Sequence, residues 1–292
     1  MRNMNWFCEG FKWQVVEFNY GAELLIKLRN GEEELKIWSI WVYSMLYCAT
    51  QNRERLTQKL GTREAIKVGE KLNVYVGRDT GYVNWLIQDS HPFPSDIEHW
   101  IFPTENYVIE YLGFSPNIVT LEFEKMIEVE EEKVIEGIEF TKMSLEYEKE
   151  RYKRFKIGIY PKLMSITDIT CKGDRLEILM ENEIKDYKRK KCYNERVLVT
   201  IESGIEAVRI TENKRRLLLW LIFWNTKKYD PEDKYFFNVE NSEFIRWLEE
   251  ENGKKFERKV KHYCIFSSTF IVDVISKSKP KIKRLGRKER TI

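Results

Sequence analysis

The sequence predicts an α+β fold, in which antiparallel sheets, built from hairpins and a meander in the C-terminal half, pack with a few helices. Runs of alternating apolar and polar residues, separated by short turns that contain glycine or asparagine, predict the strands. Segments with an apolar period near 3.6 residues predict the helices. The 292 residues are 42% hydrophobic and 14% aromatic, a composition that can form a packed core and excludes an intrinsically disordered protein.

The N-terminal α+β part, residues 1–120, is predicted to contain two hairpins and one helix. Each hairpin has two partly alternating runs around a turn with glycine: 11–18 with 22–28, and 71–76 with 82–87. The helix is predicted over 37–60, because apolar residues recur there every three to four positions and Gly61 follows as a stop signal. Three prolines within 89–103 predict a loop with at most a short helix at 95–100.

The C-terminal part, residues 121–276, is predicted to be rich in strands, although the sequence does not mark its boundary. Near its start, alternation favours strands at 118–123 and 127–129, whereas 142–154 also fits a helix. A meander and a final hairpin follow as runs between polar turns: 165–170, 175–180, 196–201 and 207–211, then 259–266 and 269–275.

One C-terminal helix has clear end signals. Ser242 is a good N-cap residue, Glu243 follows in the first turn, and Gly253 fits the left-handed position after the last turn. The apolar residues between them predict a helix over 242–252. No apolar run reaches the roughly 20 residues that a membrane-spanning helix needs, so no membrane partner is expected.

Charge is balanced overall but not along the chain. The 50 Lys and Arg residues against 47 Asp and Glu give a net charge of +3, so no global field favours nucleic acid or membrane. Residues 277–290 carry eight basic residues and one acid, which predicts a basic tail over 277–292. The remainder of the chain is mildly acidic, with eight glutamates between residues 122 and 139.

Two basic segments, 185–196 and 277–290, are the predicted nucleic-acid-binding residues. Their Lys and Arg side chains could neutralise phosphates, and Tyr187 or Tyr193 could stack on an unpaired base. The basic residues concerned are Lys185, Lys188, Arg189, Lys190, Lys191, Lys281, Lys283, Arg284, Arg287 and Lys288. A basic hairpin loop and a solvated tail without any ligand would have the same composition.

Metal and catalytic signals are weak. His91, Asp96 and His99 offer metal-ligating groups in the proline-rich loop, but their spacing matches no known metal signature. A metal-dependent nuclease could use Asp174 with the Glu183-Ile184-Lys185 triplet, a pattern that a chain with so many charges also contains by chance. No serine-nucleophile elbow, phosphate-binding loop or kinase signature is present, so no catalytic residue and no cofactor are predicted.

Aromatic residues are abundant, with 9 Trp, 15 Tyr and 16 Phe. Trp and Tyr bury large areas at low entropic cost and are enriched at the centres of protein interfaces. The tryptophans close to predicted turns and loops are the expected exposed anchors: Trp6, Trp13, Trp85 and Trp100. They favour a protein that binds another protein, and that also binds itself as a homo-oligomer.

The preferred prediction is therefore a non-enzymatic, self-associating, protein-binding protein, with a nucleic-acid-binding protein and a metal-dependent nuclease as alternatives. Five scattered cysteines without metal-ligand spacing suit the reducing cytoplasm. Richness in Lys, Ile, Asn and Glu indicates an AT-rich source, such as a low-G+C bacterium, its phages or a plasmid. A protein-binding protein from a phage or plasmid of this kind could act as an inhibitor of a host defence complex. Self-association could pair the acidic stretch 122–139 with the basic tail, or both could be solvated faces.

Overall fold

The structure is a computed structural model. It describes residues 14–21, 23–31, 33–39, 42–49, 66–68, 72–78, 82, 97–114, 117–120, 126–127, 135–136, 150–154, 164–186, 191–213, 236–253, 255–256 and 259–290. Most of these residues lie in strands, and the described part of the chain contains one helix of several turns. The predicted α+β fold with several packed helices is therefore wrong, and the chain is mostly β.

Twenty strands and the helix follow in chain order. The N-terminal strands are β1 (Gln14–Tyr20), β2 (Leu24–Asn30), β3 (Glu33–Ser39), β4 (Val42–Ala49), β5 (Ile66–Val68), β6 (Leu72–Arg78), β7 (Glu98–Pro103), β8 (Tyr107–Gly113), β9 (Asn117–Thr120) and β10 (Met126–Ile127). The remaining elements are β11 (Ile135–Glu136), β12 (Arg151–Arg154), β13 (Ser165–Lys172), β14 (Arg175–Asp186), β15 (Lys191–Ile201), β16 (Ile205–Glu212), β17 (Phe236–Glu240), α1 (Glu243–Asn252), β18 (Lys261–Phe266), β19 (Phe270–Ser276) and β20 (Lys281–Arg290).

The strands form two large sheets. Sheet A has the order β10-β9-β3-β2-β1-β13-β14-β15-β20, and sheet B has the order β11-β6-β7-β8-β4-β16-β19-β18-β17-β12, with β5 beside β6. Neighbouring strands are antiparallel, except that β11 runs parallel to β6. Both predicted parts of the chain contribute to each sheet, because β1 pairs with β13 in sheet A and β4 pairs with β16 in sheet B.

The main core lies between the two sheets. In β2, Leu24, Ile26 and Leu28 are buried while Lys27 and Arg29 face outward, as the two-residue period of a strand requires. Phe18 of sheet A meets Tyr47 of sheet B with ring centroids 4.9 Å apart. Each fully buried apolar side chain of this kind contributes about 1.5–3 kcal/mol, so the sandwich is held chiefly by apolar burial.

Helix α1 covers part of the outer face of sheet B. Phe244, Trp247 and Leu248 of the helix pack with apolar side chains of four strands. The predicted end signals are confirmed: Ser242 Oγ accepts a hydrogen bond from Ile245 N, and Gly253 takes the left-handed conformation with φ 65°. The helix therefore adds a third layer over the middle of sheet B.

The helix predicted over 37–60 is wrong where the structure describes it. Residues 37–39 belong to β3 and residues 42–49 form β4, whereas 51–60 lie outside the described residues. Strand β4 lies in the middle of sheet B, between the main core and the layer that contains α1. A strand buried on both faces loses the alternation that would distinguish it from a helix.

The loop predicted over 89–103 is wrong where the structure describes it. Residues 98–103, predicted as part of a proline-rich loop, form β7. Pro103 is its last residue and lies beyond the part of β7 that pairs with β6, so its missing N–H interrupts no pairing with that strand.

The segment 142–154, for which the sequence left strand and helix open, contains strand β12 at 151–154, and 142–149 lie outside the described residues. For the predicted hairpin of 71–76 with 82–87, Tyr82 is in no strand and 83–87 lie outside the described residues. The described partners of β6 are β5, β7 and β11.

Several strand predictions are confirmed. The first hairpin is β1 with β2, with its turn two residues later than predicted, and the final hairpin is β18 with β19. The predicted meander holds for β13, β14 and β15, but β16 lies in the other sheet. Residues 281–290, predicted as part of a tail, form β20. Among the described residues, no helix is long and apolar enough to cross a membrane.

Candidate functional site

The end of sheet A that contains β14, β15 and β20 is extended. Pairing of β13 with β14 reaches only as far as Glu181, whereas β14 and β15 remain paired to Asp186 and Lys191. Strand β20 follows β15 over the same length, from Lys281 to Arg290. These three strands therefore project beyond the neighbouring strand β13.

This extension brings together the two predicted basic segments. Cys192 lies opposite Arg290, and Asn194 lies opposite Lys288, in the β15–β20 ladder. Adjacent strands are about 4.8 Å apart, so segments about 90 residues apart in sequence form one surface. We call residues 191–196 with 281–290 the basic edge.

The structure places six of the ten predicted nucleic-acid-binding residues in the basic edge and a seventh, Lys185, on the neighbouring strand β14. Lys185 is opposite Cys192 in β14, and Lys191 begins β15. Strand β20 contains five of the predicted residues: Lys281, Lys283, Arg284, Arg287 and Lys288. The remaining three, Lys188, Arg189 and Lys190, lie outside the described residues.

The basic edge retains a positive charge after its internal ion pairs are considered. Strand β20 has six basic residues and one acid, Glu289. Lys281 Nζ lies 2.7 Å from Glu202 Oε2, and this hydrogen bond lowers the pKa of Glu202. Arg284 pairs with Glu195. The exposed Lys281–Glu202 pair is worth little, which leaves Lys281 available to other anions, whereas Glu195 is buried and holds Arg284.

Strand β20 is also the last strand of sheet A, so no described strand lies on its outer side. Near its middle, Arg196 pairs with Gly286 and Val197 pairs with Arg284, which leaves Leu285 as the extra residue of a bulge. Gly286 has a φ of 89°, a conformation that glycine adopts without strain. Among the described residues, Leu285 is the large apolar residue that is exposed to solvent, with an exposed fraction of 40%.

Within the part of the chain that the structure describes, Tyr193 is the aromatic residue of the basic edge. It lies between Ile184 of β14 and Glu289 of β20 and is partly exposed. Its position is compatible with stacking on an unpaired base. Tyr187, the other predicted stacking residue, lies outside the described residues.

The structure does not support an exposed anchor at Trp100. This side chain is 2% exposed in the core and stacks with Tyr111 at a centroid distance of 6.3 Å. A tryptophan in a strand of a two-layer sandwich is buried when its side chain faces the other sheet, whatever turn follows it. Trp6, Trp13 and Trp85 lie outside the described residues.

The structure separates the nuclease residues and describes one of the three metal candidates. His99 is buried in β7, where its Nε2 lies 2.9 Å from Glu110 Oε2, while His91 and Asp96 lie outside the described residues. Asp174 accepts hydrogen bonds from Gly204 N and Ile205 N at one end of β14. Glu183 is nine residues further along that strand, about 30 Å away. Within the described residues, no group of side chains could hold a metal ion.

A buried polar chain that the sequence does not predict lies between α1 and sheet B. Ser242 Oγ is 2.8 Å from His262 Nδ1, and His262 Nε2 is 3.0 Å from Asp273 Oδ1. Arg209 donates to Asp273 Oδ2 from Nε at 3.0 Å and from Nη2 at 2.7 Å. Its residues come from three strands and the turn before α1, so no local spacing reveals the chain.

Glu150 joins this buried region at the start of α1. Its Oε1 accepts from Glu243 N at 2.9 Å, and its Oε2 accepts from Tyr152 Oη at 2.6 Å. Burial raises the pKa of Glu150, and this effect outweighs the lowering by His262 and Tyr152. The carboxyl group satisfies the first backbone N–H of the helix, which has no intrahelical partner.

Comparisons with known proteins give no further assignment: no protein family, no curated protein and no solved structure matches this chain.

Proposed function

We propose that this protein binds nucleic acid through the basic edge. The observation that carries the proposal is the pairing of β15 with β20, which joins two separate basic segments into one continuous surface. Phosphate neutralisation by clustered Lys and Arg provides most of the affinity in non-specific nucleic-acid binding. The protein would thus recognise the phosphate backbone rather than base sequence.

The shape of the edge supports this proposal. Lys281, Lys283 and Arg287 are exposed along a single extended strand. Lys281 and Lys283 are alternate residues about 6.8 Å apart, twice the spacing of about 3.4 Å per phosphate on one strand of a duplex. The bulge at Leu285 places Arg287 on the other face of β20, opposite Glu195. Tyr193 is two residues from Glu195, the β15 partner of Arg287, and so shares a face with Arg287. An aromatic side chain at this position favours a strand with unpaired bases.

The test is titration of labelled single-stranded and double-stranded oligonucleotides with the protein, followed by fluorescence anisotropy at several salt concentrations. The variant Lys283→Glu/Arg287→Glu should abolish binding at low salt or weaken it at least tenfold. The variant Lys255→Glu/Lys259→Glu makes the same charge change at exposed lysines between α1 and β18 and should bind like the wild type. Absence of wild-type binding at low salt would reject the proposal.

A second proposed function is protein binding with self-association, which the outer position of β20 favours. An end strand offers unpaired backbone groups to an added strand, and exposed Leu285 would add apolar contact. This function includes the predicted inhibition of a host complex. Native mass spectrometry of the chain purified from its host tests it: a homo-oligomer or a partner at fixed ratio supports it, whereas a monomer without partner opposes it.

We place both proposed functions in the cytoplasm. Cys48, Cys171, Cys192 and Cys264 are free thiols in the structure, and free cysteines are stable in a reducing compartment.

A further inference from the structure

The hydrogen-bonded chain from Ser242 to Asp273 has the order of a serine nucleophile, its base and a carboxylate. The hydroxyl of Ser242 is within 2.8 Å of one imidazole nitrogen of His262, and the other nitrogen is 3.0 Å from Asp273. A serine becomes nucleophilic when a base accepts its proton and a third group fixes that base. The three residues meet this requirement by geometry, independently of any sequence motif.

Solvent exposure increases from Asp273 through His262 to Ser242, which is the order that a reactive serine needs. Asp273 is 0% exposed, His262 is 1% exposed and Ser242 is 9% exposed. The carboxylate is thus sealed, while the serine is the member closest to solvent. Arg209 holds the second carboxylate oxygen of Asp273, which leaves Oδ1 directed at His262.

Ser242 lies in a tight turn between a strand and a helix. Strand β17 ends at Glu240, Asn241 has a φ of 54°, and α1 begins at Glu243. Asn241 is the non-glycine residue with positive φ in the described chain, and such backbone conformations concentrate at functional sites. A serine nucleophile on a sharp strand-to-helix turn is a known arrangement in hydrolases.

We propose that Ser242 is a nucleophile for acyl transfer, with His262 as its general base. Ser242 Oγ forms a bond to the carbonyl carbon of an ester while its proton passes to His262 Nδ1. The carbon–oxygen bond to the leaving alcohol then breaks, and His262 returns the proton to that alcohol. Water then attacks the carbonyl carbon of the acyl-serine while His262 accepts a proton from that water. The bond between the acyl carbon and Ser242 Oγ breaks, and His262 returns the proton to Oγ, which regenerates the serine and releases the acid.

The start of α1 supplies the electrostatic environment. The positive end of the helix dipole lies beside Ser242, and the N–H of Phe244, the second helical residue, has no intrahelical acceptor by helix geometry. The N–H of Glu243 is bonded to Glu150 and that of Ile245 to Ser242. Because the Glu150 carboxyl group adjoins the site, the substrates are neutral esters rather than esters of anionic acids. Asp273 and Arg209 are positioning residues.

The test uses a fluorophosphonate probe, which forms a covalent adduct with activated serines. The full-length protein is incubated with the probe, and intact mass followed by peptide mapping locates the adduct. The wild type should gain one adduct, on Ser242. Ser242→Asn, which keeps a side chain suited to helix capping, should gain none, and Ser203→Ala, at an exposed serine, should react like the wild type.

Two further variants distinguish activation of Ser242 by His262 and Asp273 from a purely structural role of these two residues. His262→Gln and Asp273→Asn should slow adduct formation by at least about a thousandfold, because removal of the base or of its orienting carboxylate has effects of this size. Circular dichroism verifies folding of each variant before labelling. A folded wild type without adduct, an adduct at another serine, or unchanged labelling of folded His262→Gln would overturn the proposal.

Discussion

Arg209 and Asp273 form an ion pair that is buried between sheet B and α1. The guanidinium Nη2 lies 2.7 Å from Asp273 Oδ2, and the two side chains are 5% and 1% exposed. The pair is directly opposite in the β16–β19 ladder, and the Arg209 guanidinium also lies 4.2 Å from the centre of the Phe244 ring. One contact therefore links two strands and the helix that covers them.

Removal of the arginine from this pair should destabilise the fold strongly. Arg209→Met leaves a buried carboxylate without its cation, and we expect a loss of about 3–5 kcal/mol in the free energy of unfolding. Urea titration followed by tryptophan fluorescence measures it. Arg175→Met, which breaks an exposed pair with Glu177, should cost at most about 1 kcal/mol. Equal losses in the two variants would contradict the prediction.

Ser242 should contribute to stability as a helix cap, apart from any reactivity. Ser242→Ala removes the acceptor for Ile245 N and should lower the free energy of unfolding by about 1 kcal/mol, whereas Ser242→Asn should recover most of this loss. Thermal melting of the three proteins at one concentration provides the comparison. An alanine variant as stable as the wild type would show that the cap contributes nothing.

Glu150 should make the fold less stable as pH rises. Burial raises the pKa of Glu150 in the folded state above its ordinary value of 4.5, so the folded protein holds this proton more tightly than the unfolded chain. The contribution to stability is complete below the unfolded pKa and is lost as pH rises from about 4.5 through the folded pKa. In urea titrations across this window, the stability of the wild type relative to Glu150→Gln should fall as pH rises, and a difference that does not change with pH would contradict the prediction.

Deletion of β20 should destabilise the whole sandwich. Residues 281–290 pair with β15 over most of its length, and Ile282 packs against the core, so truncation after Pro280 exposes a long edge and apolar surface. We expect a lower melting temperature in differential scanning fluorimetry. A chain that lacks only residues 291–292 is the control. Identical melting of both truncations would indicate that the segment behaves as a tail.

The thiol of Cys171 should be unreactive in the native protein. Burial raises its pKa to about 12, with a smaller opposite effect from Tyr47, and the thiolate is the reactive form. Iodoacetamide at pH 8 should leave Cys171 unmodified in native protein and modify it in urea, as peptide mass spectrometry would reveal. Rapid native alkylation of Cys171 would contradict its placement in the core.

The basic edge illustrates what could be predicted of the candidate site. The charges of 281–290 are visible in the sequence, and they predict a possible contact with phosphates. Their neighbours are not visible, because the β15–β20 ladder joins residues such as Asn194 and Lys288 across a long sequence separation. The buried chain from Ser242 to Asp273 is even less accessible to sequence reasoning, since a turn and two strands supply its members.

The sequence by itself determined the local elements whose signals are complete within a few residues. Helix α1 lies between its Ser242 and Gly253 caps, and the hairpins β1–β2 and β18–β19 form around short turns. Tertiary structure decided the rest, because burial on both faces turned the apolar run of β4 into a central strand. Distant pairing likewise made a predicted tail into β20. A strand has no hydrogen-bond partner within itself, so its neighbours are chosen only when the whole sheet assembles.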